Sequence, residues 1–109
     1  MLRTISPTVD VISDITVLPK ASGRCLASRS ANRESCFRPQ NPVVAGRDAA
    51  WKRSAAASGA RYIDMVPWFC QSGGCPVVIG NVVAYRDADH ITETYAEVLK
   101  PVLAAQLTL

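Results

Sequence analysis

Val43-Val-Ala-Gly46-Arg-Asp48-Ala-Ala-Trp51-Lys-Arg-Ser-Ala55-Ala-Ala-Ser58, followed at once by Gly59-Ala-Arg61-Tyr-Ile-Asp-Met-Val66, decides the fold. In the first part, Val44, Asp48, Trp51 and Ala55 recur at helical spacing, and the remaining alanines add helix propensity. The spacing predicts a helix over 43–58 with Trp51 packed in the core, ended by Gly59. Residues 61–66 carry Tyr62, Ile63, Met65 and Val66 and read as a strand that Pro67 stops. Upstream, residues 8–13 read as another strand, because Val9 and Val11 alternate with Thr8 and Asp10. A strand, helix, strand order with a short turn into the second strand calls for a right-handed crossover and a parallel pair. The fold class is therefore α/β.

Outward from this unit the signals are more varied. Residues 18–42 hold Pro19, Gly23, Pro39 and Pro42 without steady periodicity. They predict a long loop with one helical turn near Ser30–Cys36. Loops of that length are often functional or stapled. Residues 76–85, Pro-Val-Val-Ile-Gly80-Asn81-Val-Val-Ala-Tyr85, follow a β-hairpin pattern around Gly-Asn. A last helix is expected over 92–107, starting at Thr92, with Ile91, Tyr95, Val98, Leu99, Val102, Leu103 and Leu107 forming an apolar face. Pro101 lies inside it and is expected to kink or split it.

The 109 residues suffice for one small domain. A hydrophobic share of 49% allows a core and argues against general disorder. Net charge is only +3, and no basic run is interleaved with stacking aromatics, so nucleic acid is not an expected partner. Arg24, Arg29, Arg33 and Arg38 cluster in the long loop and read as a solvated face, with phosphate-rich headgroups or glycans as the alternative contact. The first ten residues lack the apolar core of a signal peptide, and no stretch approaches a membrane span.

Cys25, Cys36, Cys70 and Cys75 form two sequence-local pairs, and the even count favours two disulfides and an oxidising compartment. Without a leader in these residues, export is expected to depend on an upstream part. Zinc ligation at Cys70 and Cys75, or free thiols, are the alternatives.

His90 is the single histidine and follows Asp87 by three residues, just before the last helix. A turn places the two side chains on one side, where the carboxylate can accept the Nδ1 proton and leave Nε2 as a general base. That pair activates a serine hydroxyl in serine hydrolases. The same residues also suit an N-cap and a surface histidine. Asp89 is the other acid near His90, but an adjacent residue points poorly at the ring. Trp68 and Phe69 could line an acyl or sugar pocket, with core or rim packing as the alternative. Asp14 lies at a strand end, with no physical argument for a ligand there.

The run Cys70-Gln-Ser-Gly-Gly-Cys75-Pro-Val-Val-Ile-Gly80-Asn, continuing through Val82 into Val83-Ala-Tyr85-Arg-Asp87-Ala-Asp-His90-Ile-Thr92-Glu-Thr-Tyr95-Ala, resembles the C-terminal block of SGNH/GDSL-type hydrolases. It looks most like the SGNH domains that follow a membrane acyltransferase-3 domain in bacterial carbohydrate O-acyltransferases. These end with a Cys-Pro turn, a hairpin, a Tyr-Arg-Asp-x-x-His-Leu-Thr-like segment and a closing helix. Ile91 stands where the family usually has Leu. Val9 through Cys36 also resembles the family's middle region.

The resemblance implies a partial three-layer flavodoxin-like fold, with residues 1–109 as the C-terminal portion of one domain. It implies catalytic Asp87 and His90, acyl transfer through an acyl-serine, and no metal or organic cofactor. The implied partners are an acyl donor, a glycan acceptor, and the membrane acyltransferase-3 domain or the missing N-terminal half. The implied location is the outer side of the cytoplasmic membrane. The family's Gly-Asp-Ser and Gly-x-Asn-Asp motifs do not occur, and Ser13, Ser54 and Ser72 sit in no matching motif. The chain alone is therefore expected to be inactive, and poorly soluble or associated with a partner. The competing reading is a small, disulfide-stapled, envelope-associated interaction domain without catalysis.

Overall fold

The computed structural model describes residues 7–18, 25–27, 36–71 and 74–107. The expected helical turn near Ser30–Cys36 and three of the clustered arginines (Arg24, Arg29 and Arg33) lie outside these residues, apart from Cys36 itself. Strand β1 (Asp10–Ile12) and strand β2 (Arg61–Ile63) pair in parallel, Asp10 opposite Arg61 and Ile12 opposite Ile63. Helix α1 (Pro42–Ser58) connects them and packs on both. Strands β3 (Val78–Ile79) and β4 (Val82–Val83) form an antiparallel hairpin, and helix α2 (Glu93–Leu107) follows. The chain is α/β, with two small sheets among the described residues. Among the described residues no helix is long and apolar enough to cross a membrane.

Local chemistry sets the ends of α1. The Asn41 side chain accepts the N–H groups of Val43 and Val44, and Pro42 occupies the first turn. Gly59 adopts a left-handed conformation (φ 76°), and the Ala60 N–H closes onto the Ala55 carbonyl. Val44, Asp48 and Ala55 are buried, but Trp51 is 59% exposed. This corrects the expected core role of Trp51. A layer two strands wide does not cover the whole apolar stripe of the helix.

Both strands are shorter than their sequence pattern. After Ile63, the Asp64 carboxylate accepts the Val66 N–H at 3.0 Å and starts a 3-10 turn over Val66–Trp68. The Met65 N–H leaves the ladder for the Ser13 hydroxyl at 2.7 Å. Pro101 does not split α2, which runs unbroken to Leu107. Pro101 and Glu97, whose carbonyl would have met the missing N–H, both lie on the exposed face, where solvent can take the freed group.

The core centres on Phe69, Tyr85 and Tyr95. The Phe69 ring meets Tyr95 edge-on at 5.3 Å, and the Tyr95 hydroxyl donates to the Trp68 carbonyl. Disulfides join Cys25 to Cys36 and Cys70 to Cys75, with Cys36 and Cys75 fully buried. Arg38 and Cys75 exchange both backbone hydrogen bonds, so the two stapled loops meet in one bridge. Gly74 sits at that bridge with φ +141°, where a Cβ would come within 2.5 Å of the Arg38 carbonyl oxygen. The close approach requires glycine there.

Candidate functional site

Tyr85 and Ile91 pair as an isolated antiparallel bridge, and the Arg86 N–H donates to the His90 carbonyl at 2.8 Å. These contacts close residues 86–90 into a tight loop at the mouth of α2. Behind it, the Thr92 hydroxyl donates to the Val83 carbonyl at 2.6 Å and accepts the Tyr95 N–H at 3.1 Å. One residue thus caps α2 and ties it to the hairpin. The Leu18 N–H donates to the Ala88 carbonyl at 2.8 Å, which fastens the segment after β1 to the same loop.

Within the loop, Asp87 Oδ1 accepts the N–H groups of Asp89 and His90 at 3.0 and 2.8 Å. His90 Nδ1 lies 2.9 Å from Asp87 Oδ1 and 3.1 Å from Oδ2. Asp89 Oδ1 is also 2.9 Å from Nδ1, but the hydrogen-bond geometry at that nitrogen is met by Asp87. The N–H of Asp89, joined by the ring and N–H of His90, holds the Asp87 carboxyl down at about 2. The group is therefore ionised wherever an imidazole titrates. A carboxylate accepts and cannot donate, so the neutral ring carries its proton on Nδ1 and keeps the Nε2 lone pair free.

The His90 side chain is 60% exposed and open to an incoming group. Among the described residues no hydroxyl hydrogen-bonds to its ring. Ser13 is buried and holds Met65, and Ser72 lies outside the described residues. Phe69 is core, whereas Trp68 is 43% exposed. Asp14 pairs with Arg47 at 3.3 Å on the surface.

Asp87, Asp89 and His90 also bring ligand atoms within 4.8 Å of one another, enough for a divalent cation to be considered. All three groups are at least partly solvent-exposed, and Asp87 and Nδ1 are already engaged with each other. The four cysteines are disulfide-bonded, so they offer no thiolates to zinc.

An apolar cavity of about 230 Å³ lies beside the loop, lined by Ile12, Ile15, Phe69, Ile91, Leu99 and Leu103 among others. His90 does not line it; its neighbour Ile91 does. Sequence reading missed the buried Asp48, whose Oδ1 accepts the Asp14 N–H at 2.9 Å and ties α1 to the end of β1. A carboxylate on an apolar helical stripe was the available signal.

A family model described as the SGNH domain fused to AT3 domains matches residues 5–105. No curated protein and no solved structure matches the chain.

Proposed function

This chain belongs to the family of SGNH domains fused to AT3 domains, a hydrolase- and acyltransferase-type family, and from that membership we propose that Asp87 and His90 are the acid and base of a Ser-His-Asp triad. The observation that carries the reading is the 2.9 Å contact between Asp87 Oδ1 and His90 Nδ1, which leaves Nε2 unengaged among the described residues. The nucleophile comes from another stretch of polypeptide, since Gly-Asp-Ser does not occur in this sequence.

His90 Nε2 takes the proton of that serine hydroxyl as its oxygen attacks the carbonyl of an acyl donor. Asp87 stabilises the imidazolium so formed. The imidazolium returns the proton to the departing group, and an acyl-serine remains. His90 then deprotonates an acceptor hydroxyl, which attacks the acyl-serine and releases the serine with its proton restored. With a glycan hydroxyl as acceptor the outcome is an O-acylated cell-envelope sugar; with water it is hydrolysis.

In this reading residues 1–109 form the C-terminal portion of a three-layer, flavodoxin-like domain. The domain works outside the cytoplasmic membrane, tethered to a membrane acyltransferase-3 domain. The two disulfides favour that oxidising side. A non-catalytic reading draws on a specific observation: Asp87 also caps its own loop through two main-chain N–H groups. An envelope-associated interaction domain would need only that. The two separate in an assay with 4-nitrophenyl acetate. The chain is mixed with the separately expressed N-terminal part of an AT3-fused SGNH domain that carries Gly-Asp-Ser. The catalytic reading expects hydrolysis that His90→Ala abolishes; hydrolysis indifferent to His90, or none from a formed complex, favours the interaction domain.

A further inference from the structure

Asp87 Oδ1 accepts three N–H groups: the main chain of Asp89 at 3.0 Å, the main chain of His90 at 2.8 Å and the His90 ring at 2.9 Å. A carboxylate offers about two lone-pair sites on each oxygen. The ring therefore competes with the loop's own main chain for one atom. Asp87 Oδ2 gives the ring a longer contact of 3.1 Å and also faces Arg86 Nε at 3.8 Å. Asp89 Oδ1 stands as close to Nδ1 as Asp87 Oδ1 does, at 2.9 Å. Among the described residues no main-chain N–H bonds to the Asp89 carboxylate. Two acids thus flank the Nδ1 side of the ring, and among the described residues no acid is paired with Nε2. Leu18, which meets the loop from the segment after β1, is bonded through its main chain and brings no charge.

We infer that Asp89 is a second positioning residue for His90, and that its carboxylate helps to keep the ring proton on Nδ1. The inference rests on the reading of His90 as the base, because a bare Nε2 matters only where that nitrogen must take a proton. At rest the Nδ1–H points at Asp87, so Asp89 acts through its charge. That charge favours a proton on the near nitrogen over the far one. When the N–H leaves the crowded Asp87 oxygen, Asp89 is the acceptor already within reach. Once Nε2 has taken a proton, the same charge stabilises the imidazolium. The Asp89 side chain is 59% exposed, and exposed ion pairs are weak, so its share is a few-fold effect. The Asp89 main-chain N–H shapes the loop whatever side chain it carries. Substitution therefore separates the carboxylate's hold on the ring from the shape of the loop.

The test is nitrogen-15 spectroscopy of the full, untagged chain at a pH where the ring is neutral; the single histidine supplies the only imidazole signals. Asp89→Ala is expected to lower the ratio of Nδ1–H to Nε2–H by about two- to fivefold, with amide protection of residues 86–90 unchanged. Asp89→Glu, which keeps the charge, recovers most of that ratio. Asp87→Asn retains part of the Nδ1–H population, and adding Asp89→Ala removes it. A ratio that Asp89→Ala leaves unchanged overturns the inference. So does a fall that comes with lost loop protection, or one that Asp89→Glu does not reverse. In the 4-nitrophenyl acetate assay with the N-terminal part that carries Gly-Asp-Ser, Asp89→Ala lowers kcat by a similar factor at unchanged KM. The expected tautomer shifts without any His90-dependent hydrolysis sink the triad reading and leave the role of Asp89 intact. His90-dependent hydrolysis with a tautomer indifferent to Asp89 does the reverse.

Discussion

Asp87 Oδ1 holds His90 twice, through the ring at 2.9 Å and through the main-chain N–H at 2.8 Å. The ring is therefore aimed by the carboxylate that also shapes its loop. Orientation and loop conformation are one property at this site, so a change at Asp87 alters both.

The Asp87 carboxyl titrates at about 2, below its ordinary value near 4. In that interval the folded chain binds fewer protons than the unfolded one, so stability rises with pH there. The contribution is complete above about 4 and is lost as pH falls through about 2. Carbon-13 detection of the side-chain carboxyl should give a midpoint close to 2, and Asp87→Asn should flatten acid unfolding across this window. A midpoint near 4 would contradict the loop geometry.

Gly74→Ala should destabilise the chain by about 1–3 kcal/mol. The new Cβ would collide with the Arg38 carbonyl at a backbone angle that L-residues avoid. Gly80→Ala is the control, because it also has a positive φ but meets nothing within 4 Å. Denaturant midpoints of the two variants should differ, with Gly74→Ala the lower.

Thr92→Val should cost about 1–2 kcal/mol through loss of the α2 cap. The substitution also removes the donor to Val83, so amide exchange should quicken at the start of α2 and in residues 86–90. Thr92→Ser keeps both bonds and should recover most of the loss. Equal exchange in all three proteins would show that the cap does not hold this loop.

Thiol titration in denaturant should find no reactive thiol before reduction and four after it, since all four cysteines are bonded. Replacing Cys70 and Cys75 together by Ala should cost about 2–5 kcal/mol. It should also loosen the bridge between Arg38 and Cys75. Any thiol that reacts before reduction would contradict the pairing.

What the sequence disclosed follows the range of each interaction. Helix α1 was legible because Asn41, Pro42 and Gly59 act within one turn of its ends. The Asp87–His90 contact was legible because it spans three residues, and the cysteine pairs span only 11 and 5. Bonds that cross the chain left no local trace. Met65 to Ser13 is separated by 52 positions, and its diversion from the ladder shortened β2 relative to its apolar pattern. The link from Leu18 to Ala88 behind the His90 loop was hidden for the same reason. The exposure of Trp51 depends on how wide a sheet lies under α1, which helical periodicity does not encode.

The most direct measurement is the nitrogen-15 spectrum of His90 in the neutral state, which reports which ring nitrogen bears the proton. With Asp87 accepting at Nδ1, the proton resides on Nδ1 and Nε2 is bare, and Asp87→Asn shifts the population toward Nε2–H. A wild-type ring protonated mainly on Nε2, unchanged by Asp87→Asn, would contradict a base poised for a hydroxyl.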